Sequence, residues 1–307
     1  MNELASVLRA AREGVLARPR PDLALLVATG RDRQTWLNGL VTCDLAKLAP
    51  GRGAFGLAVT KTGKLRAELL IGLGEERLFI AAPKDRAEDL QGELDRHLIM
   101  ERAEITLAPE LGVIELVGPG AAACLEPARA AGAELAVPLD TTGLGGALIV
   151  GAQTNREPLL SALLAAAGEG ATLADEEDFD ALRLELGQGR FGVDYGDASY
   201  PQEAGLERIA VSFDKGCYLG QEAVFMLQVR GHVKKKVVSL DVEGSEPVPV
   251  GAAVSAADGD VGAVSSSAPS PLSGGVRAIA TVKYAHAEPG TALTVLGRAA
   301  HVRVPSR

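Results

Sequence analysis

The chain has 307 residues, of which 47% are hydrophobic and 23% charged, enough apolar material for two or three packed units. Its net charge of −9 argues against a broad nucleic-acid surface, and its longest apolar runs, such as Leu23–Thr29, fall far short of the ~20 residues that cross a bilayer. Three widely separated cysteines, Cys43, Cys124 and Cys217, and four scattered histidines exclude a disulfide framework and give no metal-ligand spacing. The expected setting is a reducing, cytoplasmic one without membrane, metal or direct nucleic-acid contacts.

The N-terminal segment has Glu3, Arg9, Arg12 and Glu13 where a secretion signal needs an apolar core, so it reads as an amphipathic helix. A buried-type strand follows over residues 23–28, then a helix from Asp32 with Trp36, Leu37 and Leu40 on one face. Residues 54–60 and 65–73 read as strands joined by a turn at Lys61-Thr62-Gly63-Lys64, with a third antiparallel strand over 77–82 and a helix over 84–98. Strands near 105–107 and 113–117 precede an alanine-rich helix opened by Gly118-Pro119-Gly120, and a strand over 143–150 leads into a helix over 157–167. This order predicts two α+β units whose antiparallel sheets carry helices on one face. From about Lys236 short strands alternate with Gly, Pro, Ser and Asp, so residues 236–307 are expected to form a small β-barrel behind a first region of residues 1–235.

The residues that suggest chemistry crowd into 178–236. Asp178 is expected to cap a short helix with Phe179, Leu182 and Leu186 as its apolar stripe and Gly187 as its stop. Glu185 then lies in the last turn, at the negative end of the helix dipole, and needs a compensating partner: Arg183, Arg190, or a ligand offering paired N–H donors. In Lys215-Gly216-Cys217-Tyr218-Leu219-Gly220-Gln221-Glu222, two glycines bracket the thiol and Lys215 is placed to lower its pKa. The residues alone leave open a reactive thiolate and a small buried apolar cysteine. Arg230-Gly231-His232-Val233-Lys234-Lys235-Lys236 is a local cationic run, either a solvated strand edge or, through Arg230, a seat for a carboxylate.

This last region resembles a known family. The octapeptide at 215–222 is similar to the signature of the YgfZ folate-binding proteins, relatives of the aminomethyltransferase of glycine cleavage. Ala181-Leu182-Arg183-Leu184-Glu185-Leu186-Gly187, Pro201-Gln202-Glu203-Ala204-Gly205-Leu206, residues 36–45 and residues 60–64 resemble further blocks of it, in order. The resemblance implies a ring of two ferredoxin-like α+β units plus a β-barrel around a central channel that holds tetrahydrofolate. It implies a role in assembling or repairing iron–sulfur clusters of client enzymes, tRNA-modifying ones included, especially under oxidative stress. Cys217, assisted by Lys215, matches the functional thiol. Glu185 matches the glutamate that holds the pterin ring, and Arg230, Gly216 and Tyr218 complete the expected folate contacts. In the aminomethyltransferases a Gly-Gly-x-x-Asp-Asp run supplies the acid for aminomethyl transfer, whereas this chain has Gly63-Lys64-Leu65-Arg66-Ala67-Glu68. Glu68 keeps a carboxylate at a longer reach, so the expected role is that of an accessory protein without classical turnover, and a folate-dependent one-carbon transferase is the alternative.

Overall fold

The computed structural model describes residues 3–229 and 231–304. In chain order its first half contains α1 (Glu3–Glu13), β1 (Val15–Pro19), β2 (Leu23–Thr29), α2 (Arg33–Asn38), β3 (Arg52–Val59), β4 (Leu65–Leu73), β5 (Leu78–Pro83), α3 (Ala87–Asp95), β6 (Glu104–Leu107) and β7 (Leu111–Val117). It continues with α4 (Leu125–Ala130), β8 (Leu135–Pro138), β9 (Gly146–Ala152), α5 (Arg156–Ala167), β10 (Ala171–Leu173), α6 (Glu176–Leu186), α7 (Pro201–Ala204) and α8 (Gln221–Val229). The remainder is β11 (Lys235–Val242), β12 (Ala253–Ala256), β13 (Gly259–Pro269), β14 (Val276–Lys283), β15 (Ala292–Val295) and β16 (Arg298–Val302).

Two five-stranded sheets, ordered β3-β4-β5-β2-β6 and β10-β1-β7-β9-β8, pack face to face. The period-2 alternation of a strand shows how. On β2, Leu26 and Ala28 join Trp36, Leu37, Leu90 and Leu94 beneath α2 and α3, while Leu25 and Val27 meet Val113, Leu148 and Val150 of the other sheet. On β7 and β9 the opposite parity, Ile114, Leu116 and Ile149, packs under α5 and α4. Each sheet therefore carries helices on one face, as expected, and is sealed on the other by its counterpart. The pairings are antiparallel except β1 with β10, which run parallel because α5 returns the chain to the edge of the sheet.

Three local expectations change. The alanine-rich stretch starts as a 3₁₀ turn, Pro119–Cys124, before α4. Helix α6 is capped by Asp175 rather than Asp178; Asp178 is three residues into the helix and its carboxylate accepts from the Asp175 N–H, completing a capping box. The helix expected over 84–98 is shorter at both ends: the strand before it runs one residue further, to Pro83, a 3₁₀ turn occupies Lys84–Arg86, and α3 itself spans Ala87–Asp95. Strands β11, β14, β13, β12, β15 and β16 close a barrel in that order around Leu240, Val254, Val276, Ala280 and Val295. Among the described residues no helix is long and apolar enough to cross a membrane.

Candidate functional site

Three adjoining cavities lie along the two sheets, the last of them reaching the barrel. One of about 220 Å³ and one of about 100 Å³ share Arg20, Phe55, Glu68, Leu70 and Arg190 as walls. A third, of about 330 Å³, shares Gln188, Gly189, Tyr195 and Leu206 with the second and reaches β11 and Arg303 of the barrel. Together they form a channel whose polar groups come from distant parts of the chain. Glu115, buried on β7, accepts from Arg20 Nη1 at 2.7 Å and Thr141 Oγ1 at 2.9 Å, with Arg18 Nη1 at 3.5 Å. Arg20 also grips Asp22 through two nitrogens at 2.9 and 2.8 Å. Burial pulls the Arg20 guanidinium down, but Glu115 and Asp22 outweigh it and hold the group above its ordinary range. Arg18, where burial and the Arg20 charge prevail, is lowered; it lies 3.6 Å from the ring centre of Phe179 and donates to Glu176 at 2.9 Å. Opposite them, Tyr195 donates its hydroxyl to Glu68 Oε1 at 2.5 Å. The channel thus offers flat apolar walls (Phe55, Phe179, Tyr195), carboxylates, and at one mouth Arg86 and Arg190, which are 30% and 35% exposed.

Glu185 lies elsewhere. It is buried where α6 meets the barrel, and its Oε2 accepts from Arg277 Nε of β14 at 3.1 Å. Arg277 and Arg303 both pair with Asp241, and Arg303 Nη2 donates to the Glu185 carbonyl at 3.0 Å. The compensating cation is therefore Arg277, not Arg183 or Arg190. Arg183 is engaged with Asp180, Asp194 and Ser266, and Arg190 with Glu176 and Asp180. Glu185 lines none of the three channel cavities, and its Oε1 is sealed from solvent without a hydrogen-bond partner.

The octapeptide forms a loop against the end of α2. Lys215, 8% exposed, satisfies one carbonyl at the end of that helix and two in the segment after it: Nζ donates to Asn38 O at 2.6 Å, Val41 O at 2.8 Å and Cys43 O at 2.7 Å. Leu219 N–H donates to Gly39 O at 3.0 Å, and Ser212 N–H to Thr42 O at 2.9 Å. Tyr218 is buried, its ring 5.2 Å from Lys215 Nζ, and burial pushes its hydroxyl up to about 12. Burial likewise pushes the Cys43 thiol up to about 12, against the nearby Lys215 charge. Cys217 is exposed, whereas Cys43 and Cys124 are buried.

The expected roles change accordingly. The Lys215 ammonium is committed to three carbonyls and sits beside the Cys43 thiol, so it is an anchor of the loop and not an activator of Cys217. Gly216 and Tyr218 lie on this loop and line none of the channel cavities. A side chain at Gly216 would meet open space, whereas Gly220, at φ +79°, has Thr60 O 2.3 Å from the position of a Cβ, so only Gly220 requires glycine. Arg230 lies outside the described residues. Sequence reading missed Arg18, Arg20, Glu115, Tyr195 and Arg277; two arginines inside an otherwise apolar β1–β2 stretch were the available signal for the first pair.

A pair of face-to-face α+β sheets joined to a six-stranded barrel around a polar channel defines a protein of the aminomethyltransferase fold. The glycine-cleavage aminomethyltransferase T of Bartonella henselae superposes on 99% of this chain and 88% of its own, with a TM-score of 0.81 at 22% identity. No family model matches the chain. In sequence it is 29% identical to the mitochondrial aminomethyltransferase of Gallus gallus, over 87% of this chain and 74% of that one. It is 27% identical to the tRNA-modifying protein YgfZ of Sodalis glossinidius, over 75% and 72%, and 26% identical to that of Aliivibrio fischeri, over 71% and 69%. These relatives in sequence and in structure support the superfamily that the YgfZ proteins share with the aminomethyltransferases as this chain's own.

Proposed function

We propose that this chain is a YgfZ-type accessory protein. It binds a reduced folate in the channel and acts through Cys217 on iron–sulfur enzymes, those that modify tRNA among them. The observation that carries the reading is the 215–222 loop: an exposed thiol on a segment pinned by Lys215, Leu219 and Gly220, away from the walls of the ligand channel.

The channel suits tetrahydrofolate. Its aromatic and aliphatic walls, Phe55, Leu70, Phe179 and Tyr195, match a flat heterocycle. Glu68 provides an acceptor for the amino and ring N–H edge, and Arg86 and Arg190 at the mouth face the charge of a glutamate tail. When bound, the folate supplies a carrier for one-carbon units or reducing equivalents. The protein's own residues hold and orient it: Tyr195 fixes the Glu68 carboxylate as an acceptor, and Arg20 with Arg18 holds the Glu115 carboxylate in place on the channel wall.

The same Glu68 favours the second reading, a folate-dependent one-carbon transferase, because it places a carboxylate in the channel. Formation of methylene-tetrahydrofolate from an aminomethyl or N-methyl donor would establish that activity. Its absence across a broad donor panel is the expected result. The accessory role is tested in a strain lacking this gene, by mass spectrometry of a tRNA modification installed by an iron–sulfur enzyme after oxidative challenge. Wild type is expected to restore the modification and Cys217→Ala, at equal expression, to leave it at the level of the deletion. Restoration by both overturns the role given to the thiol.

A further inference from the structure

Helix α8 is apolar nearly all the way round: of Gln221–Val229 only Gln221, Glu222 and Gln228 are polar. A helix of that composition belongs in a core, yet only one flank is covered. Val224 is fully buried, and Ala223 and Val224 pack on the β3–β4 hairpin tip so closely that a Cβ at Gly63 would lie 3.0 and 3.2 Å from them. Gln202 Nε2 ties the same flank to α7 by donating to Val224 O at 2.8 Å. On the other side Phe225, Met226 and Val229 are 43%, 41% and 60% exposed. With Glu222 they stand at i, i+3, i+4 and i+7, one continuous stripe in solvent.

The surroundings of the stripe restrict what covers it. Cys217 is exposed four residues before the helix begins. Lys61 is exposed on the hairpin tip that supports α8, and Lys234 and Lys235 are exposed just beyond it, where His232 stacks on Tyr284 at 4.8 Å. A cationic rim on a chain of net charge −9 is complementary to acidic partners. A second copy packed about a two-fold axis would set these lysines against one another, which disfavours self-association.

We infer that the α8 stripe is the docking surface for the client protein, which presents apolar side chains flanked by carboxylates and is thereby brought against Cys217. This rests on the functional reading above. The test uses the same deletion strain and tRNA readout with two variants: Phe225→Ser with Met226→Ser, which removes the apolar contact, and Lys234→Glu with Lys235→Glu, which reverses the rim. Purified variants are first checked for an unchanged melting midpoint, folate affinity and rate of Cys217 alkylation by iodoacetamide. Both are expected to lower the modification at least five-fold. Full restoration by both, in a strain where the deletion abolishes the modification, overturns the docking surface alone. A deletion strain with intact modification overturns the functional reading and the surface with it. A wild-type dimer in sedimentation that the serine variant converts to monomer assigns the stripe to a second copy and also overturns it.

Discussion

Lys215 shows how one side chain fixes a functional loop. Two buried carbonyls and a partly buried one accept from its ammonium, and an orphaned buried polar group costs ~1–3 kcal/mol. Lys215→Met is therefore expected to lower unfolding stability by at least about 2 kcal/mol in urea titrations, whereas Cys217→Ala on the surface changes it by less than about 0.5 kcal/mol. Two neighbours make the fold sensitive to alkali. Cys43 is raised from 9.0 and Tyr218 from 10.0, each to about 12, because burial disfavours the anion. Both hold their protons more tightly when folded, so their contribution is complete below the ordinary values and is lost as pH rises from about 9 toward 12. Urea midpoints should fall between pH 7.5 and pH 10.5, and Cys43→Ala should show a shallower fall; an equal slope would place the effect elsewhere.

At the level of elements, the contact between the hairpin tip and the start of α8 depends on Gly220. Its left-handed backbone and the nearby Thr60 carbonyl leave no room for a methyl group. Gly220→Ala is expected to cost more than about 2 kcal/mol and to change the rate of Cys217 alkylation, while Gly216→Ala is expected to leave both unchanged. Such elements were legible where the signal is local. The turn at residues 61–63 with Gly63 at φ +77°, the helix ending at Gly187, and the amphipathic α1 all followed from spacing and residue type. Strand β16 was not legible. The turn before it is Leu296-Gly297, both at positive φ, and lacks the Asn-Gly or Asp-Gly pair that marks such hairpins. Strand β10, three residues after an alanine-rich helix, has too little alternation to read.

Over the whole molecule, legibility depended on sequence distance. The Cys217 loop is one contiguous octapeptide and stood out. The channel assembles residues from Arg18 to Arg303, and the partner of Glu185 comes from β14, 92 residues away. No local pattern encodes such pairings. Glu185–Arg277 also joins α6 to the barrel, with side chains 3% and 11% exposed. Arg277 keeps Asp241 when Glu185 is removed, so Glu185→Ala is expected to cost about 1.5–3 kcal/mol by thermal or urea unfolding, the range of a hydrogen bond to a charged group. Glu185→Gln keeps the shape and one hydrogen-bond acceptor, and is expected to be milder.

The channel proposed to bind folate is separate from Cys217, the thiol proposed to act on clients, and calorimetric titration with a reduced folate tests that separation most directly. Wild type is predicted to bind, Cys217→Ala and Glu185→Gln to bind within about two-fold of it, and Glu68→Gln to lose at least about ten-fold, or 1.4 kcal/mol. Undiminished binding by Glu68→Gln together with loss in Glu185→Gln would contradict the account, moving the ligand to the seam between α6 and the barrel.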